Sequence, residues 1–416
     1  MSPIAIASEI GTLRSVIVHR PGSELETVTP ANATELLYND VLFLDSAERE
    51  HRQLTAVLGR TARVHYLREL LADVLAEPEP RQALLDAVCR WHDCPQLAPA
   101  LAERPADELA HALIEGVRHP EASLAAAINP AGWAIPPSPN AFFTRDPAFC
   151  VGSRGIVGAM ASQVRGTEAM IMRAVFRWHP LLQGTEGLVD GVAEQAGAAP
   201  VKFEGGDVHV LRDDLLVIGC SERTSVAGID RLLQAVGASG QIIDVVIVLL
   251  PRARATIHLD MIFTMLDHDL CAVFEPLVVG PQRSRVVSAR VQDGRVARFA
   301  IEDGLLSALA RLGMPLDPVH CGGDDPVRQV REQWASGANL LALAPGKVIG
   351  YARNRGTFEA LAARGFRVVH AEDVAAGTVD LLAPGRCAVM MAGAESSRGG
   401  GGCRCMTLPV RRDPIG

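Results

Sequence analysis

Phe203-Glu204-Gly205-Gly206-Asp207-Val208-His209-Val210-Leu211-Arg212-Asp213-Asp214-Leu215-Leu216-Val217-Ile218-Gly219 places an acid before an apolar run, then a polar turn, then a second apolar run. Short runs rich in Val, Ile and Leu around an Arg-Asp-Asp turn read as a β-hairpin entered from a polar residue. The same grammar recurs at Asp146, with runs 148–151 and 156–160 around 152–155, and at Asp260, with runs 261–266 and 270–274 around 267–269. Asn339 heads a fourth copy, 340–344 and 348–351 around Pro345-Gly346-Lys347, without the acid. Two more candidate members are 15–18, ending in His19-Arg20-Pro21-Gly22, and the stretch around 405–410.

Amphipathic stretches at 163–178, 224–235, 324–334 and 357–363 lie between these hairpins, the last followed by Gly365 as a helix stop. Regular spacing of strand-strand-helix-strand units predicts an α/β fold built by radial repetition. If each unit turns its leading residue toward a common axis, Asp146, Asp207, Asp260 and Cys405 meet in one cleft. Residues 67–119 break the pattern, being rich in Ala, Leu, Glu and Arg with helical periodicity and several prolines, and they read as a small helical bundle inserted over 67–135. Ile135-Pro136-Pro137-Ser138-Pro139-Asn140 reads as an extended return to the main body, so 1–416 is expected to form a single catalytic domain.

Composition narrows the function classes. With 48% hydrophobic residues the chain can bury a large core, and no apolar run approaches the length of a membrane span. A net charge of −8 without a basic stripe, and only 4% aromatics, argue against a nucleic-acid partner. Nine cysteines without framework spacing suit a reducing, cytoplasmic setting, and a homo-oligomer is expected.

Gly399-Gly400-Gly401-Gly402-Cys403-Arg404-Cys405-Met406 adds a thiol to the acids. Four consecutive glycines need a close backbone approach or a special loop to justify them, which makes Cys405 a candidate nucleophile. A pocket with several carboxylates is built for a hard metal or for an organic cation, and the thiol favours a planar cation whose central carbon is attacked. A guanidinium fits: two carboxylates grip its N–H edges while a histidine serves as acid and base. His258, two residues before Asp260 on an expected strand, would face the same way as that acid. Cys403-Arg404-Cys405 with His320 and Cys321 is a remote metal or redox alternative that leaves the acids unexplained.

The set Phe142-Phe143-Thr144-Arg145-Asp146, Phe203-Glu204-Gly205-Gly206-Asp207, Ser221-Glu222-Arg223-Thr224-Ser225, His258-Leu259-Asp260-Met261, Ala344-Pro345-Gly346 and Cys405-Met406 resembles the arginine deiminase family. The resemblance runs over essentially the whole chain. It implies a five-bladed pseudo-symmetric α/β-propeller of the guanidine-modifying superfamily and hydrolysis of L-arginine to citrulline and ammonia through a Cys-thiouronium. No metal or organic cofactor is implied. The residues it makes catalytic are Cys405 as nucleophile, His258 as acid and base, Asp146 and Asp260 as guanidinium ligands, and Glu204, with Asp207 behind it, closing the polar wall. Asn140 and Phe143 would line the aliphatic and amino-acid part of the substrate, and Arg165 and Arg223 its α-carboxylate. Gly400 stands where some relatives carry an arginine, and Arg398 is the nearest loop arginine. The rival readings are another guanidine-group enzyme, acting on agmatine or a methylarginine or transferring an amidino group, and a non-catalytic arginine binder.

Overall fold

The computed structural model describes residues 2–415 other than 121–122, 129–131, 184, 186, 195–200, 239 and 294. All three acid-led hairpins form, and the second strand of each takes a third strand alongside it in parallel. Ala148–Val151 and Arg154–Val157 pair antiparallel, and Leu188–Asp190 joins in parallel. Val208–Arg212, Leu215–Cys220 and Asp244–Leu249 repeat this order, as do Phe263–Met265, Leu270–Val273 and Asp317–His320. The Asn339-led hairpin, Leu341–Ala344 with Lys347–Tyr351, takes Cys387–Met391 and then Arg367–His370.

The fifth sheet closes the chain on itself. Leu408–Arg412 pairs antiparallel with Leu13–Val18, which pairs in parallel with Arg63–Tyr66. The two end segments, expected as separate members of the series, are thus two strands of one unit. A parallel third strand requires a crossover, and helices supply it: Gly166–Trp178, Val226–Gly237, Leu305–Arg311, Arg355–Ala363 and, in the fifth unit, Leu44–Leu58. Gly365 takes φ +84° just beyond its helix, where a left-handed residue ends the turn.

One local expectation needs correction. Residues 258–260 are not strand: the Leu259 N–H is claimed by Asp207 Oδ1 at 2.9 Å, so Leu259–Met261 winds into a 3-10 turn and the strand starts at Phe263. His258 is extended at the head of that turn, and it shares a site with Asp260 through the turn rather than through strand alternation.

Leu67–Leu75, Pro78–Trp91, Ala98–Ala102, Ala106–Glu115 and Leu124–Ile128 are helices within 67–135, of which 121–122 and 129–131 lie outside the described residues. Pro78 opens its helix at the first turn, where its missing N–H costs nothing. A short strand pair, Val117–Arg118 with Trp133–Ile135, appears where none was expected, and the return segment ends in a 3-10 turn, Pro139–Phe142. The helices share one apolar cluster with the first sheet, Leu71, Leu85, Val88 and Leu113 being fully buried with Phe149, Ile171 and Val175. Phe149, Leu259 and Cys405 belong to three different apolar clusters, so the polar site is built where cores meet. Among the described residues no helix is long and apolar enough to cross a membrane.

Candidate active site

The lead positions of the sheets deliver the chemistry. A narrow pocket is lined by Asp146, His258, Cys405, Arg165, Arg223 and Asn140, with Phe143, Leu37, Ile257 and Gly399, Gly400 and Gly401 completing its wall. A larger open groove of about 930 Å³ near His320, Arg328 and Glu359 has no thiol among its lining residues, and its charges pair with one another at the surface.

Cys405 is 4% exposed, and its Sγ lies 3.5 Å from Asp260 Oδ2. Burial first, then the charges of Asp260 and Asp146, push its thiol well above the usual value. His258 Nε2 sits 2.9 Å from Glu204 Oε2, and its Nδ1 lies 3.5 Å from Asp146 Oδ1. Burial alone would lower the imidazole, but Asp146, Glu204 and Asp207 outweigh it and hold it at about 9. Glu204, although buried, is lowered to about 2 by Arg223, His258 and Arg165, and its Oε1 accepts the Ala161 N–H at 2.9 Å. Asp146 Oδ1 and Asp260 Oδ1 are buried and accept no hydrogen bond from the described residues. They are acceptor sites left for a donor from outside.

The glycine run follows from this crowding. A Cβ on Gly401 would stand 2.4 Å from the Phe143 ring, one on Gly402 2.6 Å from Asn339 Oδ1, and Gly400 has φ +91°. Likewise a Cβ on Gly206 would lie 2.5 Å from His258 Nδ1.

Other expected residues sit differently from the sequence reading. Asp207, Glu204 and Asp260 stand behind the pocket wall, Glu204 against His258 and Asp260 against Cys405, while Asp207 touches neither the thiol nor the imidazole. Its Oδ2 accepts from Ser221 Oγ at 2.6 Å and its Oδ1 holds the Leu259 N–H, so it ties the turn carrying His258 to the loop carrying Arg223; burial raises its carboxyl to about 7. Arg165 lines the pocket but directs Nη1 to Asp146 at 2.6 Å, Nε and Nη2 to Glu168, and Nη2 also to the Asn140 and Phe143 carbonyls. Its charge neutralises Asp146, leaving no free fork for a carboxylate. Asn140 uses its side-chain amide to hold the Leu36 carbonyl. Arg398 points outward to Asp40 and Glu395 and is not a pocket residue, so it does not stand in at Gly400.

Three contributors escaped the sequence reading. Arg404, buried beside the nucleophile, binds Asp260 Oδ2 at 2.9 Å and both oxygens of Glu9 at 3.1 Å. An arginine in a loop reads as surface, and only its place between two cysteines, one of them the candidate nucleophile, hints otherwise. Arg254 donates to Asn39 Oδ1 at 2.9 Å and to the Leu37 carbonyl, pinning the segment that roofs the pocket, where Leu37 adopts φ +69°. Asn339 touches Cys405 Sγ at 3.1 Å, and its leading position in the fourth hairpin was the available signal.

Sheets in this order define a class of fold with known structures. The fold is similar to an amidinotransferase from Microseira wollei in saxitoxin biosynthesis, at TM-score 0.55 and 15% identity over 99% of this chain and 98% of that one. It is also similar to DDAH from Pseudomonas aeruginosa complexed with citrulline, at TM-score 0.51 and 15% identity over 95% and 99%. Within that class the chain belongs to the arginine deiminase family, whose sequence model, described as Arginine deiminase, matches residues 34–412. An arginine deiminase of Rhodococcus opacus is 34% identical over all of this chain and 98% of its own length.

Proposed function

We propose that this protein hydrolyses L-arginine to L-citrulline and ammonia, with Cys405 as nucleophile. The observation that carries the reading is the pair of buried carboxylate oxygens without a hydrogen-bond donor among the described residues, Asp146 Oδ1, which His258 Nδ1 faces at 3.5 Å, and Asp260 Oδ1, in a site where Asp260 also contacts the thiol sulfur. A guanidinium supplies N–H donors in the fork geometry such oxygens accept, and gripping it from both sides holds its carbon near Sγ. Asp146, Glu204 and His258 also offer donor atoms within 4.8 Å of one another, a set that a metal could use. An imidazole protonated up to about 9 is a poor ligand, and Arg165 and Arg223 already face those carboxylates, so an organic cation is the better occupant.

In the first step the Cys405 thiolate attacks the guanidinium carbon, His258 protonates one terminal nitrogen, and ammonia departs from an S-linked thiouronium. In the second, His258 takes a proton from water, the hydroxide adds to the same carbon, and the C–S bond breaks to return the thiolate and release citrulline, whose ureido O–H proton passes to solvent, where the ammonia takes it up. Arg165 tempers Asp146, Glu204 orients the imidazolium, and Asp207 holds the two loops that carry His258 and Arg223. The five sheets read as blades of a pseudo-symmetric α/β-propeller, with 67–135 as a helical insertion in one catalytic domain spanning 1–416. Their shared strand order and the contacts of Cys405 with the lead residues Asp260 and Asn339 support this. Nine unpaired cysteines support a cytoplasmic setting, and the exposed Phe299 and Ile301 on the edge strand Arg295–Glu302 support a homo-oligomer.

The test is a ureido-product assay with arginine and agmatine side by side. Arg223 is the pocket guanidinium left for the α-carboxylate, being buried with Glu204 Oε1, at 3.8 Å, as its one ion-pair partner among the described residues. Agmatine leaves it unanswered, so kcat/KM for arginine should exceed that for agmatine by ~10³-fold or more, by the cost of buried partners left unsatisfied. Arg223→Ala should narrow the gap by damaging arginine turnover. Equal turnover of the two would overturn the substrate while sparing the thiol chemistry.

The pH behaviour has a definite sign. The folded His258 value, about 9, lies above its ordinary 6.5, so the acid persists through neutral pH and kcat/KM should fall as pH passes about 9. The stabilisation from pairing imidazolium with carboxylates is fully present below 6.5 and is lost as pH rises through about 9. The thiol, raised by burial and then by its anionic surroundings, should ionise more readily once a cation is bound. Iodoacetamide alkylation of Cys405 with a small unreactive guanidinium present should therefore show a lower apparent pKa than without it, after correction for shielding. An unchanged value would remove substrate assistance from the mechanism.

A further inference from the structure

Asn339 Nδ2 is 3.1 Å from Cys405 Sγ, closer to the sulfur than Asp260 Oδ2 at 3.5 Å. The opposite end of the amide settles which atom faces the thiol. Asn339 Oδ1 accepts two backbone N–H groups, from Arg404 at 3.0 Å and from Cys405 at 3.3 Å. Turning the amide over would set an NH₂ group against two donors and leave all of them unsatisfied in a buried site, so the nitrogen must point at sulfur. Asn339 is 1% exposed, and Nδ2 also donates to the Asp260 carbonyl at 3.2 Å, which fixes the side chain from a third direction. Gly402 leaves room for this arrangement, because any Cβ there would sit 2.6 Å from Asn339 Oδ1.

The geometry points to Asn339 as a catalytic residue that stabilises the Cys405 thiolate, both as it forms for attack and as it departs from the thiouronium. The inference rests on the reading of Cys405 as nucleophile. Its logic lies in the repeat: two of the lead positions, Asp146 and Asp260, present carboxylate oxygens suited to a cation, but a further carboxylate in the place of Asn339 against the sulfur would oppose the thiolate that the reaction needs. An amide in the same place keeps the acceptor that holds the nucleophile loop and turns a donor toward sulfur. Hydrogen bonds to charged acceptors are among the stronger ones, and in a buried site no water replaces a lost donor.

Two variants separate catalysis from scaffolding. Asn339→Asp keeps the oxygen that accepts the Arg404 and Cys405 N–H groups and removes only the donor, while adding charge. Asn339→Ala removes both without adding charge. In each, the apparent pKa of Cys405 alkylation in the ligand-free protein is expected to rise by about one unit or more, and kcat to fall about 10- to 100-fold, with KM for arginine moving much less in Asn339→Ala. A melting temperature lowered in Asn339→Ala alone, with thiol ionisation unchanged in both variants, would reduce Asn339 to a loop support and overturn the proposal. That outcome with arginine still turned over by the wild-type protein leaves the deiminase reading standing. Failure of the wild-type protein to form citrulline overturns the reading itself.

Discussion

Cys405→Ala should lose at least about 10⁵-fold in kcat, because removing the nucleophile of a covalent mechanism removes the pathway and leaves only binding and electrostatic effects behind. The substitution takes away no charge that faces the substrate. Asp146, Asp260, Glu204 and Arg223 remain, so arginine should still bind, and should raise the melting temperature of the inactive variant in a concentration-dependent way. Ammonia release by Cys405→Ala at anything near the wild-type rate would remove the thiol from the mechanism, whatever the pocket looks like.

Asp260→Asn should be nearly as severe. Its Oδ2 is shared between Arg404 Nη1 at 2.9 Å and the Cys405 sulfur at 3.5 Å, and its Oδ1 has no donor among the described residues. Removing this charge leaves the substrate cation with Asp146 alone, itself already tempered by Arg165, and turns one N–H of the new amide toward a cation. Breaking a buried pair by removing one partner costs about 3–5 kcal/mol, which corresponds to roughly 10²- to 10⁴-fold in kcat/KM. The fold should persist, since Arg404 keeps both oxygens of Glu9 and the Val208 carbonyl at 2.7 Å. Native circular dichroism with near-normal kcat/KM in Asp260→Asn would mean that the guanidinium is held elsewhere.

The repeat was legible because each unit writes its own punctuation: a polar lead residue, an apolar run, a turn, a second run. That pattern located Asp146, Asp207, Asp260 and Asn339 at corresponding positions, and Cys405 follows the same logic just ahead of Leu408–Arg412. What it did not contain was pairing across the chain. Nothing local to 13–18 or 408–412 says that these segments are neighbours, since register between distant strands is set by tertiary contact. The 3-10 turn at Leu259–Met261 was hidden for a related reason: it exists because Asp207, distant in sequence, takes the Leu259 N–H. The hairpin Arg285–Gln292 with Arg295–Glu302 and the crossover helix Leu44–Leu58 carry no such punctuation, the former following the third acid-led hairpin and the helix preceding the first.

The charges were harder to read than the strands. Arginine residues look alike in sequence, yet Arg165 tempers Asp146, Arg404 grips Asp260, Arg254 pins the roof of the pocket and Arg398 lies outside it. Only the side chain's direction separates these roles, and direction is decided by packing. The glycine run shows the reverse case. Its composition announced a close approach, and the partners turned out to be the Phe143 ring and the Asn339 amide.

The most direct test of the account is rapid acid quenching during turnover of arginine labelled at the guanidinium carbon. Covalent catalysis predicts that label is trapped on the peptide containing Cys405, that it appears before citrulline, and that Cys405→Ala traps none. Label on another of the nine cysteines, or citrulline formed with no trapped label under conditions where the first step outpaces the second, would contradict the central claim.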